Sequence, residues 1–315
     1  MNEYRFREEC IKNLGYFPKI KILPQIGQVS RFKDETKTAS NIDGWIFNVN
    51  DNLFKIGVWS KDFDFLYIDN KFDAEKYTKE EKREYYDKSL QARILAENNL
   101  EKIRKEVANS ASHKLDAMNN ANYNHKYLIN KNIKPYGQIR QQGNLLYLPV
   151  FNSFNGELQS YQTIDDNGDK RFLKNGKMKG GCIPINAIKD DNITVVGLCE
   201  GYATGSSLVE FYESTEPKND KTFIKDTLFI VCFSASNLIN VAKNIRLKFP
   251  DADIIIFADD DKNKIGLTKA KEVRDHVTNV QIKCPDFNYS EKNLGLSDYN
   301  DFINFRNLLN RGVIK

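Results

Sequence analysis

The chain reads as an α/β protein: a C-terminal parallel sheet flanked by helices, preceded by a mixed α+β region with a long connecting helix. Three observations predict this. From residue 193 onward, short β-rich apolar runs alternate with helical stretches, the pattern of βαβ units and a parallel sheet. Residues 78–118 carry apolar positions at three- to four-residue spacing, which predicts one long helix. Residues 44–60 and 144–185 instead read as strands joined by tight turns, so antiparallel structure precedes the parallel part.

Taken in order, residues 1–74 form a small α+β unit. A helix from Glu3 to about Leu14 leads past Pro18 and Pro24 into GWIFNVN (44–50) and LFKIGVWS (53–60), a hairpin turning at Asp51-Asn52. Its aromatics Trp45, Phe47, Phe54 and Trp59 admit two readings, a base-stacking platform or the core of a small sheet, and the core is the simpler. Residues 75–120 hold the connecting helix. Thr78 and Glu81 suit a capping box, Tyr86, Leu90, Ile94, Ile103, Val107, Ala111 and Leu115 mark its apolar face, and the pattern breaks near 97–100.

Residues 121–190 read as an antiparallel basic subdomain. LLYLPVFN and ELQSYQTI flank Asn155-Gly156, a favoured hairpin turn. After a second turn at 166–169, KRFLKNGKMKGG concentrates Lys170, Arg171, Lys174, Lys177 and Lys179 with almost no acid among them. Such a run is either a solvated loop or a phosphate contact, and Gly180-Gly181 favour close approach of backbone to a ligand. Residues 191–315 then alternate: ITVVGLC and a helix from Tyr202, TLFIVCFSA and a helix to about Phe249, DIIIFA and a helix from about Gly266, VQIKC and a last helix near 300–310.

Bulk properties narrow the function. The 315 residues suffice for two domains. No run of eighteen apolar residues suggests a membrane span, and the charged N-terminus has no signal-peptide core, so a cytoplasmic protein with no membrane partner is expected. The five cysteines include no CxxC pair and the histidines number three, so no zinc site is expected and buried free thiols are. A net charge of +4 hints at an anionic partner without deciding it.

The chemistry concentrates in two motifs. In GLCEGYATGSSL (197–208) an apolar run ends on Glu200 and turns on Gly201. In IIIFADDD (254–261) another ends on Asp259, Asp260 and Asp261. Open α/β sheets keep their chemistry at strand carboxyl ends. In an extended segment residues two apart share a side, so Asp259 and Asp261 are placed to share one metal while Asp260 points away. Hard oxygen ligands suit Mg²⁺, or Mn²⁺ in its place. Asp298 and Asp301, in LSDYNDFI, are either further ligands or simple helix N-caps.

CEGYATG, then FADDD, then SDYND resembles the TOPRIM domain, the metal-dependent module of bacterial primases, topoisomerases and some nucleases. HKYLINKNI (125–133), residues 145–181 and GWIFNV…GVWS are similar to the primase portion of plasmid-conjugation and satellite-phage primases. The resemblance implies a DNA-dependent primase that makes short primers on single-stranded DNA for a mobile element or phage replicon. It implies catalytic roles for Glu200, Asp259 and Asp261, and metal ligation by these three with Asp298 and a further acid at Asp301. Lys170, Arg171, Lys177, Lys179 and Gly201 would meet template or nucleotide, with nucleoside triphosphates as substrate. Thr204 departs from the replicative primases, which carry an aspartate there, and puts a second metal in question. No zinc module and no GxxxxGK[ST] loop accompany the core, so a separate helicase is expected as partner. A TOPRIM nuclease and a catalytically weak nucleic-acid-binding adaptor are the rival expectations.

Overall fold

The alternating apolar runs become strands whose side chains are buried on both faces, the mark of a parallel sheet covered by helices. The structure is a computed structural model describing residues 3–20, 22–36, 42–50, 53–58, 63–68, 79–189, 192–215 and 223–313. It divides into two compact units, Met1–Ile103 and Arg104–Lys315.

In the first unit, α1 (Glu3–Leu14) precedes a four-stranded antiparallel sheet in the order β1 (Val29–Phe32), β2 (Gly44–Asn50), β3 (Leu53–Val58), β4 (Phe63–Ile68). Every third or fourth residue of α1 is apolar, and Phe6, Cys10 and Leu14 are buried against Ile46, Phe54, Ile56, Val58 and Tyr67. Phe54 lies within ring-contact distance of Phe6 and Tyr67, so it belongs to the core. A Cβ on Gly57 would come within 2.7 Å of the Trp45 ring, which therefore covers β3. The Asp51-Asn52 turn, Trp59 and Thr78 lie outside the described residues.

The connecting helix, α2 (Lys79–Asp116), is continuous through the expected break near 97–100, and the division between the units falls within it. At its C-terminal end Ala111 and Leu115 are buried with Tyr147 and Tyr161.

The second unit holds a ten-stranded sheet. Its antiparallel part comprises β5 (Asn119–Asn120), then, after α3 (Lys126–Lys131), β6 (Arg140–Gln142), β7 (Leu145–Asn152), β8 (Leu158–Asp165) and β9 (Lys170–Phe172). The β7–β8 turn has Gly156 at φ +76° and the next has Gly168 at φ +89°, left-handed conformations that glycine adopts without steric cost. β10 (Gly181–Pro184), not anticipated from the sequence, pairs antiparallel with β7 and with β12, and so joins the antiparallel and parallel parts into one sheet.

The parallel part has the order β14 (Val280–Lys283), β13 (Asp253–Phe257), β11 (Val195–Cys199), β12 (Thr227–Val231). Its helices are α4 (Tyr202–Thr215), α5 (Phe223–Asp226), α6 (Leu238–Lys248), α7 (Ile265–His276), α8 (Tyr289–Asn293) and α9 (Tyr299–Asn310). Val196, Leu198, Ile230, Ile254 and Ile256 pack on one side against Val241, Ile245, Ala270 and Val273 from α6 and α7. Cys199, Phe229, Val231, Ile255 and Phe257 pack on the other against Leu208 and Val209 of α4. Each fully buried branched side chain contributes about 1.5–3 kcal/mol. Gly197 in β11 is needed for space: a Cβ there would come 2.8 Å from the Phe229 ring and 3.1 Å from that of Phe257. Gly205 does the same for α4, where a Cβ would lie 2.7 Å from Val231.

All five cysteines are free thiols; Cys10, Cys182, Cys199 and Cys232 are buried and Cys284 half-buried. Among the described residues no helix is long and apolar enough to cross a membrane.

Candidate active site

Parallel register brings the two acidic motifs together. Cys199 of β11 pairs with Phe257 of β13, so Glu200 and Asp259 emerge side by side at the carboxyl edge of the sheet. Asp298, at the start of α9, and Asp261 complete the group. Burial pushes the Asp259 carboxyl up to about 7, and the charges of Glu200, Asp298 and Asp261 add to it while Lys170 opposes them. Burial likewise raises Glu200, against the pull of Lys170 and of the nearby Ala235 backbone N–H. Asp298 is raised by burial and then by Asp301.

The three consecutive aspartates have three different fates. Asp260 turns away and pairs with Lys292 at 2.6 Å, while its backbone N–H donates to the Ser297 carbonyl. Asp261 anchors α7: one carboxylate oxygen accepts from Asn263 N–H at 2.8 Å and Ile265 N–H at 3.3 Å, the other from Gly266 N–H at 3.2 Å. Much of the repulsion expected among these charges is thus met by protein groups. Asp259 is the exception, because its Oδ1 is buried and has no hydrogen-bond partner. An unpartnered buried carboxylate oxygen is costly unless protonated or met by a cation.

Asp298 is the N-cap of α9, accepting from Asp301 N–H at 2.9 Å. Asp301 accepts in turn from Ser297 N–H at 3.1 Å and lies 4.0 Å from Lys131. The simple capping role therefore holds for Asp298, although its charge still reaches Asp259. Thr204 is buried within α4 at 1% exposure. Gly201 has no left-handed backbone, and a Cβ there would meet only Thr204 Oγ1 at 3.8 Å, so the space beside it is open.

Among the described residues no three His, Cys, Asp or Glu side chains are gathered as a ready-made metal cage. Mg²⁺ does not need one, since it keeps several waters and takes one or two carboxylates. The orphaned oxygen of Asp259, with Glu200 and Asp298 as charged neighbours, fits such a cation.

Of the basic residues, Lys170 on the exposed strand β9 acts electrostatically on both Glu200 and Asp259. Arg171 is its exposed neighbour, Lys177 lies in the loop that follows, and Lys179 in the turn that ends it. Sequence reasoning missed the residue that fixes this turn, Asn237. Its buried amide accepts from Gly180 N–H at 2.9 Å and donates to the Gly181 and Cys232 carbonyls at 2.8 and 2.9 Å. It also missed Phe233, a non-glycine residue at φ +66° just beyond β12. The only local signal for either was the polar SASN that interrupts two apolar runs.

Fold and site together define an α/β protein with an acidic site at parallel-strand ends, flanked by a basic antiparallel strand. No family model matches the chain. It is 28% identical over 159 residues to DNA primase TraC of Escherichia coli, a match covering 46% of this chain and 13% of that protein. A second DNA primase TraC of Escherichia coli is 28% identical over 144 residues, covering 44% and 9%. The chain is therefore similar to plasmid primases over a small share of their length. A chain in a solved assembly of bacteriophage T7 lagging-strand DNA polymerase with primase domains of two gp4 subunits aligns over 50% of this chain and 75% of its own. Its identity is 15% and its TM-score 0.31, too loose a likeness to carry an argument.

Proposed function

We propose that the chain is a DNA-dependent primase, which synthesises short primers on single-stranded DNA from nucleoside triphosphates, and that residues 191–315 are its TOPRIM domain. The observation that carries this reading is the buried, unpartnered oxygen of Asp259 within electrostatic reach of Glu200 and Asp298, with Lys170 of the basic strand acting on the same group. Similarity to the TraC primases supports it.

Asp259, with Glu200 and Asp298 beside it, would hold Mg²⁺ or Mn²⁺, which supplies electrostatic stabilisation of the triphosphate during phosphoryl transfer. Glu200, its pKa raised by burial, accepts the proton of the attacking 3′-hydroxyl. Asp261 keeps α7 in place and adds negative charge. Lys170 and Arg171, with Lys177 and Lys179, hold template or nucleotide phosphates, and the open space at Gly201 leaves room for approach. The partner would be a separate replicative helicase, in a plasmid or phage replicon.

The test is incubation with single-stranded DNA, Mg²⁺ or Mn²⁺ and labelled ribonucleotides. Short labelled products, lost in Asp259→Asn, support the primase. Shortened DNA instead means a nuclease, and binding with neither product means an adaptor.

A further inference from the structure

Phe172 is a large apolar side chain at 46% exposure on a strand otherwise made of Lys170 and Arg171. Alternation along β9 puts Phe172 on the same face as Lys170 and sends Arg171 to the other. The register agrees, since Lys170 pairs with Ile164 and Phe172 with Gln162, both buried. Lys170 acts on Glu200 and Asp259, so the face that carries Phe172 is the face turned to the acidic site.

Phe172 meets the ring of Phe233 there, edge to face at 6.3 Å and 82°. Phe233 in turn lies two residues before Ala235, whose backbone N–H acts on Glu200. Its φ of +66° is an outlier for a bulky residue, a strained conformation that the surrounding structure holds in place. A ring held in that conformation beside an acidic site braces Phe172 by an edge-to-face contact, while Phe172 stays exposed on the face it shares with Lys170. A nucleobase suits that exposed ring, because it offers a π-face to Phe172 while the phosphate of its nucleotide meets Lys170 on the same face.

We propose that Phe172, backed by Phe233, is the stacking platform for a nucleobase of the strand or nucleotide bound at the acidic site. This rests on the nucleic-acid reading above and adds to it the contact that holds a base.

The test measures binding of three probes, an oligothymidylate, an abasic oligonucleotide of equal length and ATP, to the wild-type chain, Phe172→Ala, Phe172→Leu and Phe172→Tyr. Thermal melting checks that each variant is folded. Phe172→Ala and Phe172→Leu are expected to lose roughly tenfold in affinity for a base-bearing probe, Phe172→Tyr to retain it, and abasic binding to stay unchanged. Loss with oligothymidylate assigns the base to the strand, and loss with ATP assigns it to the nucleotide. Wild-type affinity of Phe172→Ala for both overturns the proposal, as does an equal loss with the abasic probe. Base-dependent loss in a protein that makes no primers would retire the primase and leave the platform standing.

Discussion

Glu200 follows Cys199 and Asp259 lies two residues beyond Phe257, and Cys199 and Phe257 are register partners on adjacent parallel strands. Two acids fifty-nine positions apart in sequence therefore share one edge of the sheet. Gly197 helps set that register by leaving room for Phe229 and Phe257 on either side of β11.

The raised pKa of Asp259 makes metal binding and stability depend on pH in a defined direction. Its folded value of about 7 exceeds the unfolded value of about 3.9, so the folded state holds the proton more tightly. Stability from this group is present at low pH and is lost as pH rises through about 4 to 7. Mg²⁺ should therefore raise Tm more at about pH 8 than at about pH 5, where protons compete with it. Melting curves with Mg²⁺ against a chelator at both values check this, and equal shifts would place the metal elsewhere.

Asp259→Asn removes the buried charge and keeps the shape. In metal-free buffer at about pH 8 it should raise Tm by roughly 2–4 °C, the shift for about 1 kcal/mol in a unit of this size. The same variant should lose the Mg²⁺-dependent shift and primer synthesis. A lower Tm would show that the carboxylate has a partner in the protein.

Lys170→Gln removes a cation that lowers both Glu200 and Asp259. The pH midpoint of Mg²⁺ stabilisation should move upward. Single-stranded DNA binding should weaken, with a shallower dependence on salt, by about one phosphate contact. Titrations at several salt concentrations read the slope, and an unchanged slope would remove Lys170 from the interface.

Asn237→Ala strips partners from the Gly180 N–H and the Gly181 and Cys232 carbonyls. Leaving buried backbone groups unsatisfied should cost about 2–3 kcal/mol, or roughly 5–10 °C in Tm. Because the same amide fixes the turn that carries Lys179, nucleic-acid affinity should fall well below the melting temperature. A variant that melts early and binds normally would make Asn237 purely structural.

Much of this architecture was legible in the chain. Helix and strand periodicities are local, so ITVVGLC, TLFIVCF and DIIIF announce β11, β12 and β13, and Glu200 and Asp259 are visible at their ends. The turn glycines Gly156 and Gly168 were readable for the same reason. β10 was not, because four residues in GCIP have no periodicity to show and become a strand only between β7 and β12.

The sequence by itself determined that acids stand at the ends of parallel strands and that a basic antiparallel segment precedes them. Which acid is left with a free oxygen was decided by tertiary structure alone. Lys292 takes Asp260, the first turn of α7 takes Asp261, and α9 takes one side of Asp298, so Asp259 remains. Asn237 likewise reaches Gly180 across 57 positions, and Phe172 meets Phe233 only because β9 faces the end of β12. The physical reason is range. Periodicity is written into neighbouring residues, whereas a hydrogen-bond partner is chosen only when folding brings distant groups within about 3 Å of one another.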